Sequence, residues 1–306
     1  MVHKNKTQKH KTKKHNPKKY KNKSYKRKQS KYEIKKLNCS PKKQHEFTCY
    51  TSASLNKLKM LWNKRHPDAK IISNNSREIW ENLKNNLYTI CKTEKCWLNQ
   101  GFMNNNLDAE LKNNTFAPMA PDSWKKNPNE WLNSLDINKI MKQYEYEYPS
   151  FTFIGPSPID FNKTKLFGQC VWNELCNFSL KNYIKNGKNK IGIIFNTDPH
   201  YLDGSHWICM FIDIPKKYIF YFDSNADETP EEIIEFVNNV KRQGKNLNID
   251  FKYYENTTEY QKSNTECGMY VLFVITQLLQ NKMSPEMFKN RIPDKDMEYL
   301  RNVFFN

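Results

Sequence analysis

The chain has 306 residues and a formal net charge of +18, yet sixteen basic side chains and one acid fall within residues 1–37. The other 269 residues carry 34 basic and 31 acidic side chains, so the protein reads as a near-neutral body with a basic tail rather than a protein basic throughout. No run approaches the ~20 apolar residues of a membrane span, and the charged N-terminal stretch lacks the apolar core of a secretory signal.

The eight cysteines (Cys39, Cys49, Cys91, Cys96, Cys170, Cys176, Cys209 and Cys267) are accordingly expected as reduced thiols rather than as a disulfide framework. Cys91-x4-Cys96 and Cys170-x5-Cys176 lack the tight spacing and histidine partners of a zinc site, so both pairs read as packing residues. No metal and no cofactor is expected.

Residues 1–37 have almost no apolar content to offset the entropy of ordering, which predicts a disordered tail. Its charge suits nucleic acid or an acidic surface, with a nuclear targeting signal as the other option. Residues 38–118 read as a helical arm. Ser52 is placed to cap a helix from Ala53 to Arg65, with Leu55, Leu58, Leu61 and Trp62 at helical spacing and Pro67 as its stop. Asn75 or Ser76 caps a second helix with Ile79, Leu83, Leu87 and Ile90 inward. The stretch from Pro118 to Pro121 reads as a connection, leaving residues 119–306 as the core domain.

Trp131 to Met141 reads as an amphipathic helix with Ile140, Met141 and either Leu135 or Ile137 inward, followed by a short strand from Phe151 to Ile154. Asn173 to Asn186 reads as one helix closed by Gly187. Strands follow at Lys190–Asn196, His206–Ile214 and Tyr218–Phe222, the last two joined by a turn at Pro215–Lys217. Thr229-Pro-Glu-Glu232 has the form of a capping box and Gly244 of a helix stop, before a strand at Asn248–Tyr254. From Gly268 to Leu279 the pattern is helical and apolar almost all round, and two short helices end the chain. Strands and helices in this irregular order predict an α+β fold, with a mixed or antiparallel sheet packed on the Cys267 helix.

Cys267 falls at the N-terminal lip of that helix, where free N–H groups and the positive dipole end stabilise a thiolate. His206 opens one strand and Asp223 closes the next. A short turn forces those strands antiparallel, so the start of one lies beside the end of the other. His206 and Asp223 are thereby expected side by side, with the carboxylate orienting the ring and the other ring nitrogen facing Cys267. Asn225, two residues beyond Asp223, is the alternative third member. Gln261, in the loop before Cys267, is placed to donate to an oxyanion together with the Cys267 N–H. Taken singly, each of these residues has an ordinary structural explanation; their order is what points to chemistry.

His206-Trp207, Asp223-Ser224, Gln261 and Cys267-Gly268 resemble the signature of the cysteine proteases that process ubiquitin-like proteins, the SUMO protease group, shared with adenovirus protease. Trp131-Leu-Asn-Ser134 is similar to that family's opening Trp-Leu-Asn-Asp, with Ser134 in place of the acid. The resemblance implies a papain-like core and a thiol protease with catalytic Cys267, His206 and Asp223 and an oxyanion-hole Gln261. It also implies that Trp131 and Trp207 flank a narrow tunnel admitting small residues such as Gly-Gly. In layout, with a basic tail, a helical arm and a C-terminal core, the chain looks like the polyprotein-processing proteases of large cytoplasmic DNA viruses, of the African swine fever virus type. These likenesses lead to an endopeptidase cutting viral capsid or core precursors after Gly-Gly or Ala-Gly. The expected partners are a protein substrate and nucleic acid at the tail, with no membrane. The expected location is the virion and the host cytoplasm, or the nucleus if the tail is a targeting signal. The alternatives are an isopeptidase removing ubiquitin or SUMO from host conjugates, and an inactive nucleic-acid-binding structural protein.

Overall fold

The computed structural model describes residues 33–42, 46–103, 108–165 and 168–306. Its elements in chain order are α1 (Ser52–Arg65), α2 (Ser76–Leu87), α3 (Ala109–Asn113), α4 (Ser134–Glu147), β1 (Phe151–Pro158), α5 (Asn173–Cys176), α6 (Leu180–Lys185), β2 (Lys190–Asn196), β3 (Trp207–Asp213), β4 (Tyr218–Phe222), α7 (Glu231–Lys245), β5 (Lys252–Glu255), α8 (Cys267–Leu279) and α9 (Asp294–Phe304). The five strands make one mixed sheet in the order β1-β2-β3-β4-β5, with parallel outer pairs and antiparallel inner ones.

Alternation along the strands divides the core into two layers. Cys209 and Phe211 of β3, with Tyr218, Phe220 and Phe222 of β4, share a cluster with α8. Ile208, Met210, Ile212, Ile219 and Tyr221 join Ile233, Phe236, Val237 and Val240 of α7 in the other. Helix α8 is apolar on nearly every side because α4 (Ile137, Ile140, Met141) and α9 (Met297, Phe304) cover what the sheet does not. The sheet thus lies between α8 with its neighbours and α7, in the expected α+β arrangement.

Several local expectations change. Ile137 turns inward while Leu135 is 66 % exposed, and α4 starts at Ser134 behind a capping box made by Asn133 and Asp136, leaving Trp131 outside the helix. The single helix expected over Asn173–Asn186 is two short ones, because Phe178 enters the core and Ser179 Oγ accepts from the Asn182 N–H to start α6. No capping box forms at Thr229: its hydroxyl donates to Glu255 across the sheet edge, and α7 starts behind Pro230. Gly244 lies within α7 rather than after it; a Cβ there would come within 2.7 Å of the Ile249 carbonyl oxygen.

The cysteines depart furthest from expectation. Cys39–Cys49, Cys91–Cys96 and Cys170–Cys176 are paired as disulfides, with Cα separations of 5.2, 5.5 and 6.2 Å, and Cys209 and Cys267 are the free thiols. Folding brings all three pairs within bridging range, which sequence spacing alone does not reveal.

Helices α1 and α2 gather a core of their own around Tyr50, Leu58, Trp62, Ile79, Leu83, Trp97 and Phe116. Residues Ile34–Asn306 form one compact unit. Residues 1–32 of the expected disordered tail lie outside the described residues, but its last part is folded: the Lys35 N–H donates to the Lys92 carbonyl and Leu37 is buried. Asn38 joins the arm to the core, its side-chain amide donating to Asn302 O at 2.6 Å and Phe305 O at 2.8 Å, while Asn306 Oδ1 accepts its backbone N–H. Replacing Asn38 by Ala removes both side-chain donors, and urea unfolding should show a loss of about 1–3 kcal/mol.

Candidate active site

The hairpin registers Cys209 against Phe222 and Asp213 against Tyr218, so the residues just beyond its open end converge. His206 Nε2 lies 2.6 Å from Asp223 Oδ1. The His206 carbonyl accepts from the Thr197 N–H, extending the β2–β3 ladder and fixing the backbone that carries the ring. Asp223 is 3 % exposed and held on both sides by Asn256, which accepts from its N–H at 2.9 Å and donates to its carbonyl at 2.6 Å. The Asn225 N–H donates to the same carboxylate oxygen, while the Asn225 side-chain amide points to Asp227. Asp223, not Asn225, therefore partners the ring.

Cys267 is the first residue of α8 and is buried. It lies close enough to the His206 ring to contribute to the ring's pKa, while Nε2 is held by Asp223. Burial by itself lowers the His206 pKa; the hydrogen bonds to Asp223 and Cys267 and the charges of both outweigh it and raise the value to about 10. The imidazolium is thus the form present at neutral pH.

Gln261 is buried beside the same loop. The Ser224 hydroxyl donates to its side-chain oxygen at 3.0 Å, and its backbone N–H donates to Ser224 O at 2.9 Å. With the amide oxygen committed, the NH2 end is the group left to donate. A thiol against an imidazolium, a carboxylate behind the ring and an amide donor in the adjoining loop suit nucleophilic attack on a carbonyl.

Residues 187–305 match the model of the Ulp1 protease family, C-terminal catalytic domain. The chain is 32 % identical over 260 residues to a protein of Acanthamoeba polyphaga mimivirus named as a thiol protease, spanning 82 % of each chain. The chain belongs to the Ulp1 family of thiol proteases. It is also 28 % identical over 184 residues to a protein of African swine fever virus named SUMO-1 cysteine protease, covering 57 % of this chain and 67 % of that one. The crystal structure of the African swine fever virus protease superposes with a TM-score of 0.61 at 20 % identity, over 90 % of this chain and 98 % of that one, and so shares the fold.

Around this Ulp1-family site the structure adds Leu132, Glu266 and Arg301, which the sequence did not single out. Trp207 Nε1 donates to the Leu132 carbonyl at 2.8 Å, bringing the two segments that carry Trp207 and Trp131 together. Trp131 is 44 % exposed. Leu132 packs on the start of α8 so closely that a Cβ on Gly268 would lie 2.8 Å from Leu132 Cβ, so glycine is what the position admits. Arg301 of α9 makes a charge-assisted fork to Glu266, the residue before Cys267, with its Nε 3.0 Å from Oε2 and its Nη2 3.0 Å from Oε1. Its other contacts are the carbonyls of Thr265 and Glu130, and it lies over the Trp124 ring. Arg301 thereby fastens the loop before the thiol to the segment before Trp131. Arg301→Leu would leave Glu266 buried without a counter-charge, and urea unfolding should register a loss of about 3–5 kcal/mol.

Proposed function

We propose that this protease is a cysteine endopeptidase that cuts after small residues at Gly-Gly or Ala-Gly sites and matures viral capsid or core precursors. The observation carrying the reading is the His206 ring, bonded to Asp223 on one side and in electrostatic reach of Cys267. In this reading the Cys267 thiolate attacks the scissile carbonyl, and the oxyanion is held by the Gln261 amide and the Cys267 N–H at the start of α8. His206 protonates the leaving amine, and water, relieved of a proton by the same ring, hydrolyses the thioester. Trp131 and Trp207, joined through Leu132, suit a narrow entry that favours glycine on the acyl side. Residues 1–37 would tether the enzyme to packaged nucleic acid through charge, in the virion and in the host cytoplasm.

The reading is tested by incubating unprocessed viral structural proteins with the enzyme and sequencing the new N-termini, which should follow Gly-Gly or Ala-Gly. A second reading, a deconjugating isopeptidase, draws on the relative named for SUMO-1. Efficient labelling by vinyl-sulfone forms of ubiquitin or SUMO, without cleavage of the structural proteins, would favour it. The inactive structural-protein alternative has no use for an intact set of Cys267, His206, Asp223 and Gln261.

Cys267→Ala should abolish cleavage. His206→Ala should lower kcat by roughly 10²–10⁴-fold, and Asp223→Asn by less, because the carboxylate orients the ring rather than reacting.

The pH dependence follows from His206. Its folded pKa of about 10 stands above the ~6.5 of an unfolded chain. The stabilisation that comes with the proton is therefore complete below pH ~6.5 and is lost as pH rises through about 10. Proton donation to the leaving amine fails over the same rise. The alkaline limb of kcat should consequently lie near pH 10 and move to lower pH in Asp223→Asn, where burial is less strongly opposed.

A further inference from the structure

Beside the site, walled in part by Trp207 and by the loop that leads to His206, lies a cavity of about 260 Å³ that the mechanism leaves unused. Its walls include Trp207, Trp172, Pro156 and Pro158, flat and stiff surfaces of the kind that receive a ring. Lys165 lines it, as do Asp198 and Asp203, so its charges are of both signs and select no strongly charged ligand. At the low end of ligand-pocket volumes, it has room for one large side chain rather than a folded partner.

One polar group in this cavity is held in a fixed orientation. His200 lines the cavity, and its ring Nδ1 lies 2.7 Å from Asp160 Oδ2, while its backbone N–H donates to Asp160 Oδ1 at 2.9 Å. Asp160 is 1 % exposed and flanked by Ile159 and Phe161, both anchored in the core beneath the sheet. The same short segment sets Trp172, whose N–H donates to the Phe161 carbonyl, and the Ile159 N–H donates to the Asp198 carbonyl in the loop leading to His200. A disulfide between Cys170 and Cys176 brackets Trp172. The aromatic wall and the histidine are therefore built on one strut.

Because a carboxylate only accepts, His200 Nδ1 carries the hydrogen and Nε2 is the nitrogen left for a ligand. That nitrogen accepts when the ring is neutral and donates when it is charged. A phenol hydroxyl satisfies either form, whereas a plain phenyl ring would cover Nε2 and leave it unpaired. Trp207, one residue from His206, lines this cavity too, so the cavity adjoins the candidate active site.

Resting on the endopeptidase reading above, we propose that this cavity is a substrate side-chain subsite for an aromatic residue with a hydroxyl tip, tyrosine in a peptide, read by His200 on its buried Asp160 support. The test uses internally quenched peptides carrying Gly-Gly at the cleavage point, with single positions on either side varied among Tyr, Phe, Ala and Asp. At one position Tyr should exceed Phe by about tenfold in kcat/KM, the worth of one hydrogen bond, and Ala should be lower still. His200→Leu should bring the Tyr and Phe peptides to the same rate, and Trp172→Ala should lower both towards the Ala peptide. Cleavage with no aromatic preference at any position, or a Tyr preference that survives His200→Leu, overturns the subsite while leaving the protease reading intact. Should no Gly-Gly peptide be cut, that reading fails instead, and the subsite is decided by binding. N-acetyl-tyrosinamide should shift the His200 ring resonances in NMR more than N-acetyl-phenylalaninamide does, and equal or absent shifts overturn it.

Discussion

The hydrogen bond between Asp223 and His206 is the contact around which the candidate site is arranged. Burial alone would strip the proton from the imidazole; the adjacent carboxylate, itself buried, reverses that preference and leaves a cation to face the thiol. A carboxylate sealed from water needs compensation, and Asp223 has it from the ring and the Asn225 N–H, with its backbone clasped by Asn256. The position of all these groups follows from the register of one hairpin. Strand β4 ends where β3 begins, and α8 packs against the same sheet face with Cys267 at its leading end.

Much of this was legible in the sequence because it is local or periodic. Antiparallel pairing follows from a short turn between two apolar runs, and it delivers His206 to Asp223 without any knowledge of the rest of the fold. The helix after Cys267 announces itself by its apolar length, and β2 and β4 have the very ends that their apolar runs suggested. Asp223 and Asn225 could not be separated from spacing alone, since both follow the end of β4. Side-chain direction decided between them, with the Asn225 amide turned to Asp227.

What the sequence did not disclose acts over long chain separations. Asn256 is an ordinary loop residue until folding brings it around Asp223, 33 positions away. Leu132 is one apolar residue among many until Gly268 proves to need its particular proximity. The cysteine pairs show the same limit: spacings that suit neither zinc nor a familiar disulfide scaffold still close once the backbone is in place. Local helix boundaries failed for a related reason, as with Phe178, where the demand of the core for an aromatic ring broke a run that reads as continuous helix.

The fork between Arg301 and Glu266 ties the ordering of the Cys267 loop to a distant segment of the chain. Arg301 belongs to α9, downstream in the chain of His206, Asp223, Gln261 and Cys267. Until α9 is in place, Glu266 has no counter-charge, and the loop that carries it and Cys267 is not fastened to the segment before Trp131. Ordering of that loop therefore waits on a helix 35 positions further along the chain.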